Sequence, residues 1–148
     1  MVAIDVRGIP LTGILSSAST SEFKLLFPTL DTLSVEKRPL HPITKPKKLI
    51  ADKGYDAKWI REKLRSKGIT PYIPKKRSRG QTEYPAYNAQ IKPWYRIRWI
   101  VERTIAWIGN YRRVTTRYEY YDHIYKAFFQ LACIMICLNW VLKYLLVK

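Results

Sequence analysis

Two short apolar runs bracket an amphipathic one between Lys48 and Ile73, and this alternation constrains the fold more than any other feature of the chain. Lys48-Leu49-Ile50-Ala51 has the length and composition of a short buried strand, and Ile69 to Ile73 predicts a second strand. Between them Trp59, Ile60, Lys63 and Leu64 recur at helical spacing, and Gly68 supplies a stop. Strand, helix and strand in succession predict an α/β fold. Asp52 stands at the carboxyl end of the first strand, where functional groups gather in such sheets. Gly54 permits a sharp exit from it, and Asp56 is the expected N-cap of the helix.

The flanking segments continue the alternation. Val2 to Val6 and Ile9 to Ser16 predict two strands paired as a hairpin around Arg7-Gly8. Ser19 to Leu33 predicts a helix capped by Ser19 or Ser21, with Phe23, Leu26, Phe27 and Leu30 as its apolar side and Pro28 limiting it. Ser34 to Lys48, with Pro39, Pro42 and Pro46, has the composition of a connector. Residues 74–92 predict a basic and polar loop. Pro93 suits the first turn of a helix running from Trp94 to Ile108.

That helix carries a second carboxylate. At about 100° per residue, Tyr95, Arg98 and Glu102 fall on one stripe roughly 60° wide, opposite Ile97, Ile100, Val101, Trp107 and Ile108. An ordinary exposed ion pair between Arg98 and Glu102 is the plain alternative to a functional role.

Composition narrows the partner. The chain has 27 Lys plus Arg against 11 Asp plus Glu, a formal +16 over 148 residues, which favours a polyanion. Two basic groups stand out: Lys75-Lys76-Arg77-Ser78-Arg79, and Arg112-Arg113 with Arg117 between Tyr111 and Tyr118. Arginine with interleaved tyrosine offers phosphate contacts and stacking faces together, and a solvated surface loop is the alternative. Cys133 and Cys137, one helical turn apart without a nearby His, lack zinc-site spacing and are expected to be reduced, buried thiols. His41 and His123 have no partner identifiable from the sequence, and no Ser/His or Cys/His nucleophile set is apparent.

Met1 to Asp5 lacks the basic and then apolar profile of a cleaved signal, so a cytoplasmic protein is expected. Phe128 to Val147 has about the length of a membrane span. Gln130, Asn139 and Lys143 inside it favour an apolar C-terminal helix, residues 123–148, packed on the domain with no membrane partner.

Ala51-Asp52-Lys53-Gly54-Tyr55-Asp56, then Tyr95, Arg98 and Val101-Glu102-Arg103-Thr104-Ile105-Ala106-Trp107-Ile108-Gly109-Asn110-Tyr111-Arg112-Arg113, closely resembles the DDE transposases of bacterial insertion sequences. Asp5-Val6-Arg7-Gly8-Ile9-Pro10-Leu11 resembles the strand pair of that family, and the likeness runs from about Val2 to Leu138. It implies a ribonuclease-H-like mixed sheet flanked by helices. It makes Asp52 and Glu102 the second and third acids of a catalytic and metal-binding triad, with Tyr95 and Arg98 as companions of the glutamate. It implies Mg2+ or Mn2+ as cofactor and double-stranded DNA, both element ends and target, as partner. Lys75, Lys76, Arg77, Arg79, Arg103, Arg112, Arg113 and Arg117 are the expected DNA-binding residues. Where some members carry a lysine seven residues beyond the glutamate, this chain has Gly109.

In the family the first catalytic aspartate precedes the hairpin that Val2 to Ser16 resembles. The resemblance therefore predicts a partial catalytic domain over residues 1–148, lacking its first strand and inactive alone in strand cleavage and transfer. Asp5 is the one nearby substitute, with a turn-associated aspartate as the alternative. An upstream-encoded transposase half and a homo-oligomer are the protein partners this implies. A non-catalytic basic nucleic-acid-binding protein is the competing expectation.

Overall fold

A computed structural model describes residues 1–17, 19–36, 42–77 and 86–146. In chain order the elements are β1 (Val2–Ile4), β2 (Pro10–Gly13), α1 (Glu22–Asp31), β3 (Val35–Glu36), β4 (Pro42–Ile43), β5 (Lys48–Ile50), α2 (Lys58–Ser66), β6 (Thr70–Tyr72), α3 (Ala86–Tyr95), α4 (Trp99–Gly109), α5 (Arg112–Thr115) and α6 (Asp122–Leu146). Short 3-10 turns occupy Lys53–Tyr55 and Arg96–Arg98. The chain is mixed α/β, and its described strands form three two-stranded sheets: β1 with β2, β3 with β4, and β5 with β6. Length alone suggests one domain; the packing divides the chain into two units, Ser34–Trp99 and Met1–Leu33 with Ile100–Lys148.

Within Ser34–Trp99, β5 and β6 pair in parallel with Lys48 opposite Thr70, Leu49 opposite Pro71 and Ile50 opposite Tyr72. Parallel strands need a crossover, and α2 provides it. Its buried face is Ile60 and Leu64, which with Ile69, Ile73 and Ile91 of α3 make the core of this unit. Arg61 lies on the same face and is 7% exposed. Its guanidinium donates to Asp56 Oδ1 from Nε at 2.9 Å and from Nη2 at 2.7 Å, and to the Ile73 carbonyl at 2.7 Å. Asp56 Oδ2 in turn accepts the Lys76 N–H at 2.6 Å. The expected N-cap role of Asp56 is therefore not the one it plays: Ala57 stands at that position without a side-chain cap, because the buried guanidinium is the stronger claimant on the carboxylate. The proline-rich connector also holds more order than its composition suggests, since β3 and β4 pair antiparallel within it. His41 and Pro39 lie outside the described residues.

In the other unit the N-terminal hairpin forms as expected, with a register shift between Ala3 and Ile4. Gly8 turns it at φ 89°, where a Cβ would stand 2.8 Å from both Arg103 Nη2 and Thr104 Oγ1. A Cβ on Gly13 would meet the Phe129 ring at 2.9 Å, so β2 approaches α6 as closely as backbone allows. Ser21 sits at the N-cap of α1 without a side-chain hydrogen bond, and Pro28 lies within that helix. Leu26, Phe27 and Leu30 of α1 are buried. Ile108, Phe129, Ala132 and Ile136 form a core cluster, with Val2, Leu15, Trp107 and Trp140 packed against it.

Helix α6 covers residues 122–146 where the sequence predicts a C-terminal helix over 123–148, residues 147–148 lie outside the described residues, and its burial is one-sided. Phe129, Ala132 and Ile136 face the core, while Leu131, Ile134, Met135, Leu138, Val141, Leu142 and Leu145 are exposed. By length and composition α6 is able to cross a membrane.

Arg61→Ala should destabilise the chain by roughly 3–5 kcal/mol in urea unfolding, because it strands the Asp56 carboxylate beside apolar side chains. Lys58→Ala, which removes an exposed pair to Glu62 at 3.9 Å, should cost less than about 0.5 kcal/mol. Equal losses would contradict the placement of Arg61.

Candidate active site

The first candidate carboxylate is placed by the parallel pair. β5 ends at Ile50, and Asp52 opens the Lys53–Tyr55 turn by accepting the Lys53 N–H on Oδ1 at 2.5 Å. Helix α3 meets the same sheet through Trp94, whose ring centre lies 5.5 Å from that of Tyr72 and beneath the Lys48 ammonium. Lys48 Nζ lies 3.7 Å from the centre of the Trp94 ring and 5.5 Å from that of Tyr72. Trp94 stands one residue before Tyr95, whose hydroxyl donates to Asp52 Oδ1 at 3.4 Å. Arg98 Nη1 lies 3.9 Å from Asp52 Oδ2, and its guanidinium is 5.6 Å from the Tyr95 ring centre. Tyr95 and Arg98 thus converge on one half-exposed carboxylate within a single unit. These interactions are loose enough to rearrange around a ligand.

The expected continuous helix from Trp94 to Ile108 is instead two helices joined by the Arg96–Arg98 turn, with Pro93 inside the first. Proline withdraws one backbone donor from α3, and the chain tightens shortly after it. The uniform 100° spacing used to draw one polar stripe therefore does not hold through this stretch. In a 3-10 turn side chains three apart eclipse, which accounts for Arg98 lying over Tyr95.

Glu102 stands exposed in the first turn of α4, where a carboxylate is favoured by the helix dipole. Its helix is fastened to the N-terminal hairpin. Thr104 Oγ1, fully buried, donates to the Gly8 carbonyl at 3.0 Å. Arg103 Nη2 donates to the Arg7 carbonyl at 2.7 Å, and the guanidinium lies 4.5 Å from the Trp107 ring centre. Asp5 accepts the N–H groups of Arg7 and Ile9 on Oδ1 at 2.9 and 2.8 Å, so its carboxylate closes the hairpin turn.

The basic groups differ in what their side chains are already doing. Lys75 and Asn88 exchange two hydrogen bonds, at 2.7 and 3.0 Å, that fix the backbone at the start of the first loop. The side chains of Lys75, Lys76 and Arg77 remain exposed, and Arg79 lies outside the described residues. The loop expected over 74–92 is shorter, since α3 begins at Ala86. In the second group Arg112 is exposed, Arg113 binds Glu119 Oε1 at 2.8 Å, and Arg117 binds Asp122 Oδ1 at 2.5 Å. Burial pushes the Cys133 thiol up to about 11, with Cys137 adding to the shift, and burial raises Cys137 as well. Both thiols are free and partly buried.

A family model described as "Transposase DDE domain" matches residues 1–138. The chain belongs to this family.

A relative from Burkholderia cepacia, "Putative transposase for insertion sequence element IS402", is 34% identical over 139 residues, covering 93% of this chain and 61% of the relative. The chain thus spans about three-fifths of the length of that curated relative. No solved structure matches it significantly.

DDE transposases use divalent metal, and the candidate carboxylates Asp52 and Glu102 are hard oxygen donors of the kind magnesium and manganese take. The fit is by donor type: among the described residues no three His, Cys, Asp or Glu side chains are grouped closely enough to hold an ion. A cleft of about 470 Å³ lined by Trp107, Tyr111, Ile136, Asn139 and Trp140 contains neither carboxylate. Sequence inspection missed Arg61, whose only signal was a charged residue beside Ile60 on the apolar face of a helix.

Glu119 is pulled two ways: burial raises its pKa, but the Arg113 hydrogen bond and backbone N–H groups outweigh it and leave the value below the ordinary 4.5. A depressed folded value stabilises above the free-chain value and is lost as pH falls through the folded one. Glu119→Gln should therefore lower the Tm at neutral pH, and the gap to the unsubstituted chain should close as the pH falls through the depressed folded value of Glu119. A gap constant from pH 7 to pH 3 would contradict the ion pair.

Proposed function

We propose that this chain is the carboxylate-bearing part of a DNA transposase, acting on the ends of an insertion sequence and on target DNA in the cytoplasm. The observation that carries this is the convergence of Tyr95 and Arg98 on Asp52 inside a segment matched by the family model. In this reading the fold is ribonuclease-H-like, supported by the parallel β5–α2–β6 unit with an acid at the end of its first strand.

Asp52 and Glu102 are the groups that would hold Mg2+ or Mn2+. Bound divalent ions activate an attacking oxygen and stabilise the leaving one in phosphodiester chemistry. Tyr95 reaches the Asp52 carboxylate through Oδ1 and Arg98 lies near its other oxygen, so both are placed to tighten on it around a ligand. Arg98 is also placed to meet a phosphate oxygen when the carboxylate turns to a cation. Lys75, Lys76, Arg77 and Arg112 have exposed cationic ends for the duplex backbone. Two carboxylates make a weak site, so a third ligand from outside the described residues, supplied by the remainder of the enzyme or by another copy, completes it.

Three outcomes are expected. Mn2+ should broaden NMR amide signals around residues 52 and 102, and Asp52→Asn should remove the effect. Broadening confined to other acidic residues would overturn the assignment. Strand transfer by the chain alone should be negligible, and robust metal-dependent transfer abolished by Glu102→Ala would show that the ligand set is already complete. Duplex affinity should fall steeply with salt, and replacing Lys75, Lys76 and Arg77 by Ala should reduce the log–log slope by about 0.9 for each phosphate that is no longer neutralised. Salt-independent binding would defeat the duplex reading. The strong positive charge also supports a non-catalytic DNA-binding protein, which predicts the salt dependence without the metal effect.

A further inference from the structure

We infer that the loop from Arg117 to His123 is a stacking platform for unpaired nucleotides, with Tyr118, Tyr120 and Tyr121 as the rings that meet the bases. This rests on the nucleic-acid reading above and adds unpaired strands to the duplex named there. The three rings are 60%, 89% and 58% exposed, and Tyr120 is more exposed than any other large hydrophobic or aromatic side chain among the described residues. Single exposed tyrosines are common, but three within four positions on a loop tied back by its own hydrogen bonds are not explained by packing.

The loop is held by the arginines that the sequence suggested for phosphate. Arg117 donates from Nε to the Glu119 carbonyl at 3.0 Å, and from Nη2 to the Tyr120 carbonyl at 3.2 Å and to Asp122 Oδ1. Its guanidinium lies 5.3 Å from the Tyr125 ring centre, and the Tyr125 hydroxyl donates to the Val114 carbonyl at 2.8 Å. Arg113 pairs with Glu119 Oε1, while Glu119 Oε2 accepts the Tyr118 N–H at 3.2 Å. Both guanidinium groups are thus committed to the loop's own carboxylates and carbonyls. The Tyr118 ring carries Arg112 and Arg113 at 5.8 and 5.9 Å from its centre and Tyr121 stacks on His123 at 5.5 Å and 29°, so the most open ring is Tyr120, edge-on to Tyr121 at 5.2 Å and 88°.

Ring faces select the partner. A paired base inside a duplex presents only its edges to a protein, whereas an unpaired base presents a π-face that stacks on tyrosine without regard to sequence. Exposed Arg112, 3.5 Å from the Tyr118 hydroxyl, leaves a cation beside the rings for the strand's phosphates. A loop with its own arginines neutralised and its tyrosines presented is built for stacking more than for charge.

The test uses the whole chain and fluorescence anisotropy at fixed salt, with a labelled thymidine oligonucleotide, its duplex, and the same oligonucleotide made abasic. Tyr120→Ala and Tyr121→Ala should each weaken single-strand binding by about 5- to 100-fold while leaving duplex affinity unchanged. Tyr120→Trp should retain it, and the abasic strand should bind the unsubstituted chain no better than it binds the variants. Equal losses on both forms, no loss on either, or undiminished abasic binding would overturn the platform alone. If the unsubstituted chain binds neither form, the nucleic-acid reading falls and the platform with it. The rings are on the surface, so unchanged thermal unfolding will show that the variants are folded.

Discussion

The buried guanidinium of Arg61 is the interaction on which the Ser34–Trp99 unit depends. It joins the end of the Asp52 turn, through Asp56, to the end of β6, through the Ile73 carbonyl, while sitting on the helix that connects the two parallel strands. A charge that deep is tolerated only when its donors find acceptors, and here three hydrogen bonds at 2.9 Å or less satisfy it. The same carboxylate then anchors the Lys76 backbone, so the strand end carrying Asp52 and the start of the basic loop are tied to one ion pair. Tyr87 adds a strut, donating to the Pro71 carbonyl at 2.8 Å while its ring lies under the guanidinium.

The other unit solves a similar problem with neutral groups. Gly8 lets the hairpin turn come close enough for Thr104, fully buried, to find the Gly8 carbonyl, and α4 is thereby fastened while Glu102 in its first turn stays exposed. Arginine side chains recur as fasteners in this very basic chain, buried at Arg61 and on the surface at Arg113 and Arg117. Arg61, Arg103, Arg113 and Arg117 each bind the protein's own carbonyls or carboxylates. Part of the basic complement thus has structural work, while Lys75, Lys76, Arg77 and Arg112 of the two basic groups keep exposed side chains.

The second apolar face of α6 follows from helical geometry. Three buried residues at positions 129, 132 and 136 define one stripe, and a helix apolar on both sides can satisfy only one of them against this unit. The expectation of a helix packed on the domain holds for that stripe, and the remaining leucines and isoleucines stay in contact with solvent.

The sequence by itself determined the elements with strong periodicity: the hairpin, α1, the β5–α2–β6 alternation, the long C-terminal helix, and through a specific residue pattern the transposase family. It marked Asp52, Tyr95, Arg98 and Glu102 because their types and spacing are local facts. It could not decide the fate of Asp56, since an N-cap and a salt-bridge partner look alike until the distant end of β6 defines a buried acceptor site. Nor could it place the break at Arg96–Arg98, because helical spacing assumes one continuous ladder and the chain there tightens to a 3-10 turn. Tertiary structure decided which arginines face outward and which are spent inward, and whether Tyr95 and Arg98 reach Asp52. The physical reason is that a guanidinium or a hydroxyl chooses its acceptor by distance in space, and those distances are set only when strands, helices and turns far apart in the chain have packed.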